Sequence, residues 1–164
     1  IRIGFRQMGA GYKKPQGTVL VKLTGRNIRK LQVRGSAQVT VDSIKASNGQ
    51  FELRGSGDVR IGKVEAEAIQ VLVNGTGAFA VGAGAAKNGA VHLNGTASFN
   101  SPEFSFNTLT LFQQGAANFS ATAMREATIT NYGPGTISIG GKASCVIRQA
   151  GSGNITCPNM GKAQ

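Results

Sequence analysis

The residues best placed for chemistry in this 164-residue chain are its two cysteines, Cys145 and Cys157. They lie six positions before and six after Gly151, and an even count near one end suits a disulfide made in an oxidising compartment. The alternative is a pair of buried free thiols. The spacing matches no zinc pattern, and the single histidine, His92, falls between Val91 and Leu93 on an outward position. Carboxylates are too scattered for acid–base work: after Glu67 only Glu103 and Glu126 follow, on different repeats. Gly55-Ser56-Gly57-Asp58 is similar to a calcium β-roll, but the aspartate is not repeated and calcium needs several oxygen ligands. The expectation is a non-enzymatic protein with no catalytic residue, metal site or cofactor.

Charge is the second chemical feature. The net charge is +11, and the first 34 residues hold nine bases and no acid. These are Arg2, Arg6, Lys13, Lys14, Lys22, Arg26, Arg29, Lys30 and Arg34. The other 130 positions hold nine bases and seven acids, a net of +2, so +9 of the +11 sits in the first fifth. Such a cluster attracts acidic glycan, anionic lipid or another surface polyanion. A nucleic-acid module would interleave aromatics for stacking, and only Phe5 and Tyr12 are at hand, so no specific nucleic acid is expected. Asp42, Glu52, Asp58, Glu65 and Glu67 follow at once, where a basic arm could pair.

What positions these residues is a repeat. Arg34-Gly35-Ser36-Ala37-Gln38-Val39-Thr40-Val41 returns as Arg54-Gly55-Ser56-Gly57-Asp58-Val59-Arg60-Ile61. Further copies begin at Gly75, Gly95, Gly115, Gly133 and Gly151, spaced by 20 residues and finally by 18. Four after each glycine stand Val39, Val59, Phe79, Phe99, Phe119, Ile137 and Ile155; four before stand Leu31, Phe51, Val71, Val91, Leu111, Ile129 and Ile147. Within a copy apolar and polar residues alternate, the period of a strand with one buried face. Across copies like sits over like, which marks a solenoid.

The repeat predicts an all-β fold, a single-stranded parallel β-helix (β-solenoid) of about seven coils with 18–20-residue repeats. Two short strands per coil should meet at a Gly-x-Gly/Ala corner. Val19 and Val21, 20 before Val39 and Val41, should extend the ladders by a half coil. Gln113, Asn131 and Gln149 replace Val33, Leu53, Val73 and Leu93 in one inward column, and a stacked amide ladder is expected there. The other reading is a rotated cross-section that turns these positions to solvent or to a groove.

Asn27 to Val41 (Asn-Ile-Arg-Lys-Leu-Gln-Val-Arg-Gly-Ser-Ala-Gln-Val-Thr-Val) and Phe51 to Ile61 resemble the head GIN domain family, catalogued as autotransporter adhesins of bacterial cell surfaces. The resemblance spans roughly Thr18 to Cys157. It implies a right-handed parallel β-solenoid, export from the cytoplasm, and an adhesive or structural role, and it brings no catalytic motif.

The expected organisation is a basic N-terminal arm (1–17), a solenoid domain (18–157) and a C-terminal tail (158–164). The arm is read either as flexible or as docking over the first coil or onto a neighbour. A chain starting at Ile1 is expected to be a processed or cut product, and no 18-residue apolar run predicts a transmembrane segment. The expected location is the cell surface or extracellular space, with the periplasm as the other exported compartment. The leading function is a structural or adhesive solenoid that self-assembles, as a homo-oligomer or filament, through its arm and coil ends. The other is a binding module for anionic glycan or lipid.

Overall fold

The computed structural model describes residues 1–3, 20–23 and 28–160, with only the backbone of 20–23 and 160. Among the described residues twelve strands form one sheet. In chain order they are β1 (Arg2–Ile3), β2 (Leu20–Leu23), β3 (Lys30–Arg34), β4 (Gln38–Gly55), β5 (Asp58–Gly75), β6 (Ala78–Gly95), β7 (Ser98–Gln114), β8 (Asn118–Asn131), β9 (Ile137–Gly141), β10 (Ser144–Gln149), β11 (Ile155–Thr156) and β12 (Asn159–Met160). Every pairing is parallel, and β4 to β7 each run around nearly a whole coil. The fold is the all-β solenoid that the repeat predicts. Seven leading glycines delimit six full turns, with partial coils beyond them.

Alternation sets the interior. Val39, Val59, Phe79, Phe99, Phe119 and Ile137 are buried in one column, and Leu31, Phe51, Val71, Val91, Leu111, Ile129 and Ile147 in another. Phe99 stacks on Phe79 with ring centroids 5.7 Å apart and on Phe119 at 4.9 Å. The corner needs glycine for a steric reason. Gly55 has φ +122°, and a Cβ there would meet the Gly35 carbonyl oxygen of the preceding coil at 2.5 Å.

Between β4 and β8 the pairing falls into three runs per coil, not the expected two. Beyond them β8 pairs with the next coil in two, 119–123 with β9 and 126–131 with β10. On β4 the three runs are 38–41, 43–46 and 48–55, interrupted at Asp42 and Ser47. The middle run escapes the sequence pattern because its inward column changes size from Ile44 and Val64 to Gly84 and Phe104. Pro102 lies in a gap in the β6–β7 pairing, where Ser101 Oγ accepts the Val81 N–H at 2.7 Å.

The shift from 20 to 18 residues also happens on the side away from the glycines. Seven steps from Ser101 to Thr108 face five from Ala121 to Glu126. The same shortening corrects the first half coil. Val21 pairs with Val39 and Leu23 with Val41, so that coil too is offset by 18. Val19 lies outside the described residues.

The amide ladder is likewise corrected. Gln113 and Asn131 are buried, but Gln149 is exposed, and none of the three bonds another. Gln113 Nε2 donates to the Ala117 carbonyl at 2.7 Å, and Asn131 Nδ2 to the Gly133 carbonyl at 3.1 Å. Gln149 Nε2 donates to the Gly151 carbonyl at 3.0 Å. Each amide donates to a carbonyl of the corner that follows it on its own coil.

Candidate interaction surface

At the C-terminal end Cys145 and Cys157 form a disulfide, with Cα atoms 6.5 Å apart. Both are buried, because Cys145 lies inward on β10 and Cys157 continues the column of Val41, Ile61 and Ile139. The bond ties β10, in register with the third run of the earlier coils, to the first run of the partial coil above it. Beyond it, β12 adds two residues of parallel pairing to Ser144 and Cys145.

At the N-terminal end the structure places four of the nine expected cationic contacts. Arg2 lies on β1, and its Nε donates to Gln32 Oε1 at 3.4 Å. Arg29, Lys30 and Arg34 are exposed on the first coil. Ile1 to Ile3 dock on the chain's own first coil: the Ile1 backbone nitrogen donates to the Lys30 carbonyl at 2.6 Å, and Arg2–Ile3 pair with Gln32–Val33. Arg6, Lys13, Lys14, Arg26 and the side chain of Lys22 lie outside the described residues.

The nearby acids are engaged by the solenoid. Gln32 Nε2 donates to Glu52 Oε2 at 2.5 Å, and Arg54 pairs with the other oxygen of that carboxylate. Burial pushes the Glu52 carboxyl up, but the hydrogen bonds from Gln32 and Arg54, with the charges of Arg54 and Arg34, hold it below its ordinary 4.5. Glu65 lies 2.7 Å from Lys63 and 3.5 Å from Lys45. The Lys63 hydrogen bond, then its charge and that of Lys45, hold Glu65 below 4.5 as well. Glu67 meets Lys87 at 3.1 Å. Glu65 and Glu67, expected partners of the arm, thus have lysine partners within the solenoid, on their own coil or an adjacent one.

The outer side of the third run carries features that the column count passed over. Leu111 and Gln113 point inward, so Phe112 between them points out, half-buried. Its ring lies 5.8 Å from His92 on one side and 5.6 Å from Tyr132 on the other. Beside this line a shallow groove of about 480 Å³ is lined by Gln50, Gln70, Asn88, Thr108 and Thr110. Strand parity alone could have exposed Phe112, but the 18-residue coil moves Tyr132 to a different column, so no repeat announced the line.

Among the described residues no three His, Cys, Asp or Glu side chains gather as a metal site, and no helix is long and apolar enough to cross a membrane. No curated protein and no solved structure matches the chain. A family described as "Putative auto-transporter adhesin, head GIN domain" matches residues 5–143. Over that span, which takes in every complete 20-residue coil, the chain belongs to the head GIN domain family.

Proposed function

We propose that the chain is a non-enzymatic structural or adhesive element displayed at the cell surface or in the extracellular space. The observation that carries this reading is the continuous parallel stack from β3 to β10, whose last coil is closed by a disulfide. Such a stack is a stiff prism that holds side chains at fixed spacing, ~4.8 Å per coil, on its outer faces. Oxidising conditions outside the cytoplasm suit its disulfide, and family membership supports the adhesive role. Deleting the coding sequence in the source organism should reduce attachment to its surfaces. Unchanged attachment would contradict the reading.

A second reading, a polyanion contact at the basic end, draws on one specific arrangement. Arg34 lies in register with Arg54, whose charge is engaged by Glu52, while Arg29 and Lys30 are exposed beside them. A sulfated polysaccharide column should retain the chain and release it at moderate salt. Replacing Lys30 and Arg34 by alanine should lower the eluting salt; no change would remove this end as the contact.

Assembly of copies through the arm and the coil ends belongs to the same proposal. Among the described residues both ends carry strands paired on one side, but Arg2, Lys30 and Arg34 at one end would approach Lys142 and Arg148 at the other. End-to-end association should therefore strengthen as salt screens that repulsion, whereas an arm paired with Glu65 or Glu67 would weaken with salt.

A further inference from the structure

We propose that the outer side of the third run is a binding platform for a neutral oligosaccharide, with His92, Phe112 and Tyr132 stacking on its rings and Gln70, Asn88 and Thr110 bonding its hydroxyls. The inference deepens the adhesive reading by naming a ligand class and a site, and it is tested on purified chain. Its failure therefore leaves surface display untouched.

The argument begins with what the chain does with its aromatics. It has eight phenylalanines, two tyrosines and no tryptophan. Phe51, Phe79, Phe99, Phe104, Phe106 and Phe119 fill the core. A single ring left outside would be ordinary, since much of any folded surface is apolar. Here Phe112 sits between two further outward rings, His92 on one side and Tyr132 on the other, and Tyr132 is 56% exposed. His92 and Phe112 are held in register on β6 and β7, and Tyr132 follows the end of β8, so little freedom is lost at the first two rings when a ligand covers them.

The chemistry around the line selects the ligand. A sugar ring has a face of C–H bonds that packs against the negative face of an aromatic ring, while its hydroxyls project from the rim. Hydroxyls of that kind need donors and acceptors at the side of the stack, and amides and threonines supply both. The groove of about 480 Å³ beside the rings is lined by such groups. Its floor reaches Ile69 and Gly89. Charge completes the match. The outward positions on the third run of the three middle coils are Ala68, Gln70, Leu72 and Asn74, then Asn88, Ala90, His92 and Asn94, then Thr108, Thr110, Phe112 and Gln114. None of these is Asp, Glu, Lys or Arg. The coil that carries Tyr132 adds one acid, Glu126, in register with Thr108. A neutral ligand thus fits the three middle coils without leaving an ionic group unpaired on them. A stable protein partner would typically cover about 800 Å² per side and seat tryptophan or arginine anchors, which these coils do not offer.

The test uses the full chain with Tyr12→Phe, so that Tyr132 is the one fluorescent tyrosine. The probes are cellohexaose, mannohexaose and chitohexaose, with polygalacturonate as the anionic comparator. At least one neutral hexasaccharide should change Tyr132 emission saturably, with little dependence on salt. Phe112→Ala should weaken that binding roughly tenfold, the scale of one lost ring contact, without moving the melting temperature. Asn88→Ala should weaken it less. Three results would overturn the proposal: no binding by any neutral probe, binding that Phe112→Ala leaves intact, or Phe112→Ala altering only the sedimentation of the free chain. Preference for polygalacturonate, lost in high salt and in a Lys30/Arg34 double alanine variant, would move the site to the basic end.

Discussion

The ring of Phe106 occupies the space that a side chain on Gly89 would fill. The two belong to successive coils, Gly89 on the third run of one and Phe106 on the second run of the next. Gly84, Ala86 and Gly89 make the interior of one coil small, and Phe104, Phe106 and Leu109 make the next one large. Phe104 and Phe106 meet edge to face at 4.9 Å, which wedges the pair against that hollow. Gly89→Val should therefore overpack the core and cost about 1–3 kcal/mol in thermal or urea unfolding. Adding Phe106→Leu should recover part of the loss, a coupling expected only of side chains in contact. A Gly89→Val chain as stable as the parent would show that the pair is not packed in this way.

The same pair marks the limit of what the sequence disclosed. Columns of constant character, such as Val39 to Ile137 or Leu31 to Ile147, could be counted because the residue type survives every repeat. The middle run could not, since its interior is balanced between coils and not within a column. Register at the first coil failed for a related reason: two residues are missing between Leu23 and Lys30 relative to Val41 and Gln50. The amides of Gln113 and Asn131 were visible as inward polar groups, but their partners lie on the following corner, which a column count does not contain. The cysteine pair and the cluster of bases near the N-terminus could be read from position alone. The line of His92, Phe112 and Tyr132 required the fold.

Acid should weaken the prism in a definite window. Glu52 and Glu65 have folded carboxyls below their ordinary 4.5, so folding stabilises their charged forms. That stability is fully present above about pH 4.5 and is lost as pH falls through the lower folded values. The melting temperature should hold steady near neutrality and decline on acidification below that point. Glu52→Gln should make the decline shallower, whatever it does to stability at neutral pH. A slope identical to the parent's would mean that Glu52 does not carry the linkage.

Reduction should act locally. The Cys145–Cys157 bond closes a separation of 12 residues, for which loop entropy gives about 3 kcal/mol. In a stack each coil leans mainly on its neighbours, so the loss should concentrate at the last coil. Hydrogen exchange under reducing conditions should speed up across β10 to β12 and leave β5 to β7 protected. Uniform acceleration along the stack would show that the coils unfold as one unit.

The most direct test of the account joins display to disulfide. Intact cells of the source organism would be labelled with a membrane-impermeant amine reagent, and the chain recovered and digested without reduction. The account predicts labelled chain, with lysines such as Lys45 or Lys63 modified, and peptides of Cys145 and Cys157 linked within one chain. Unlabelled chain carrying free thiols would contradict it.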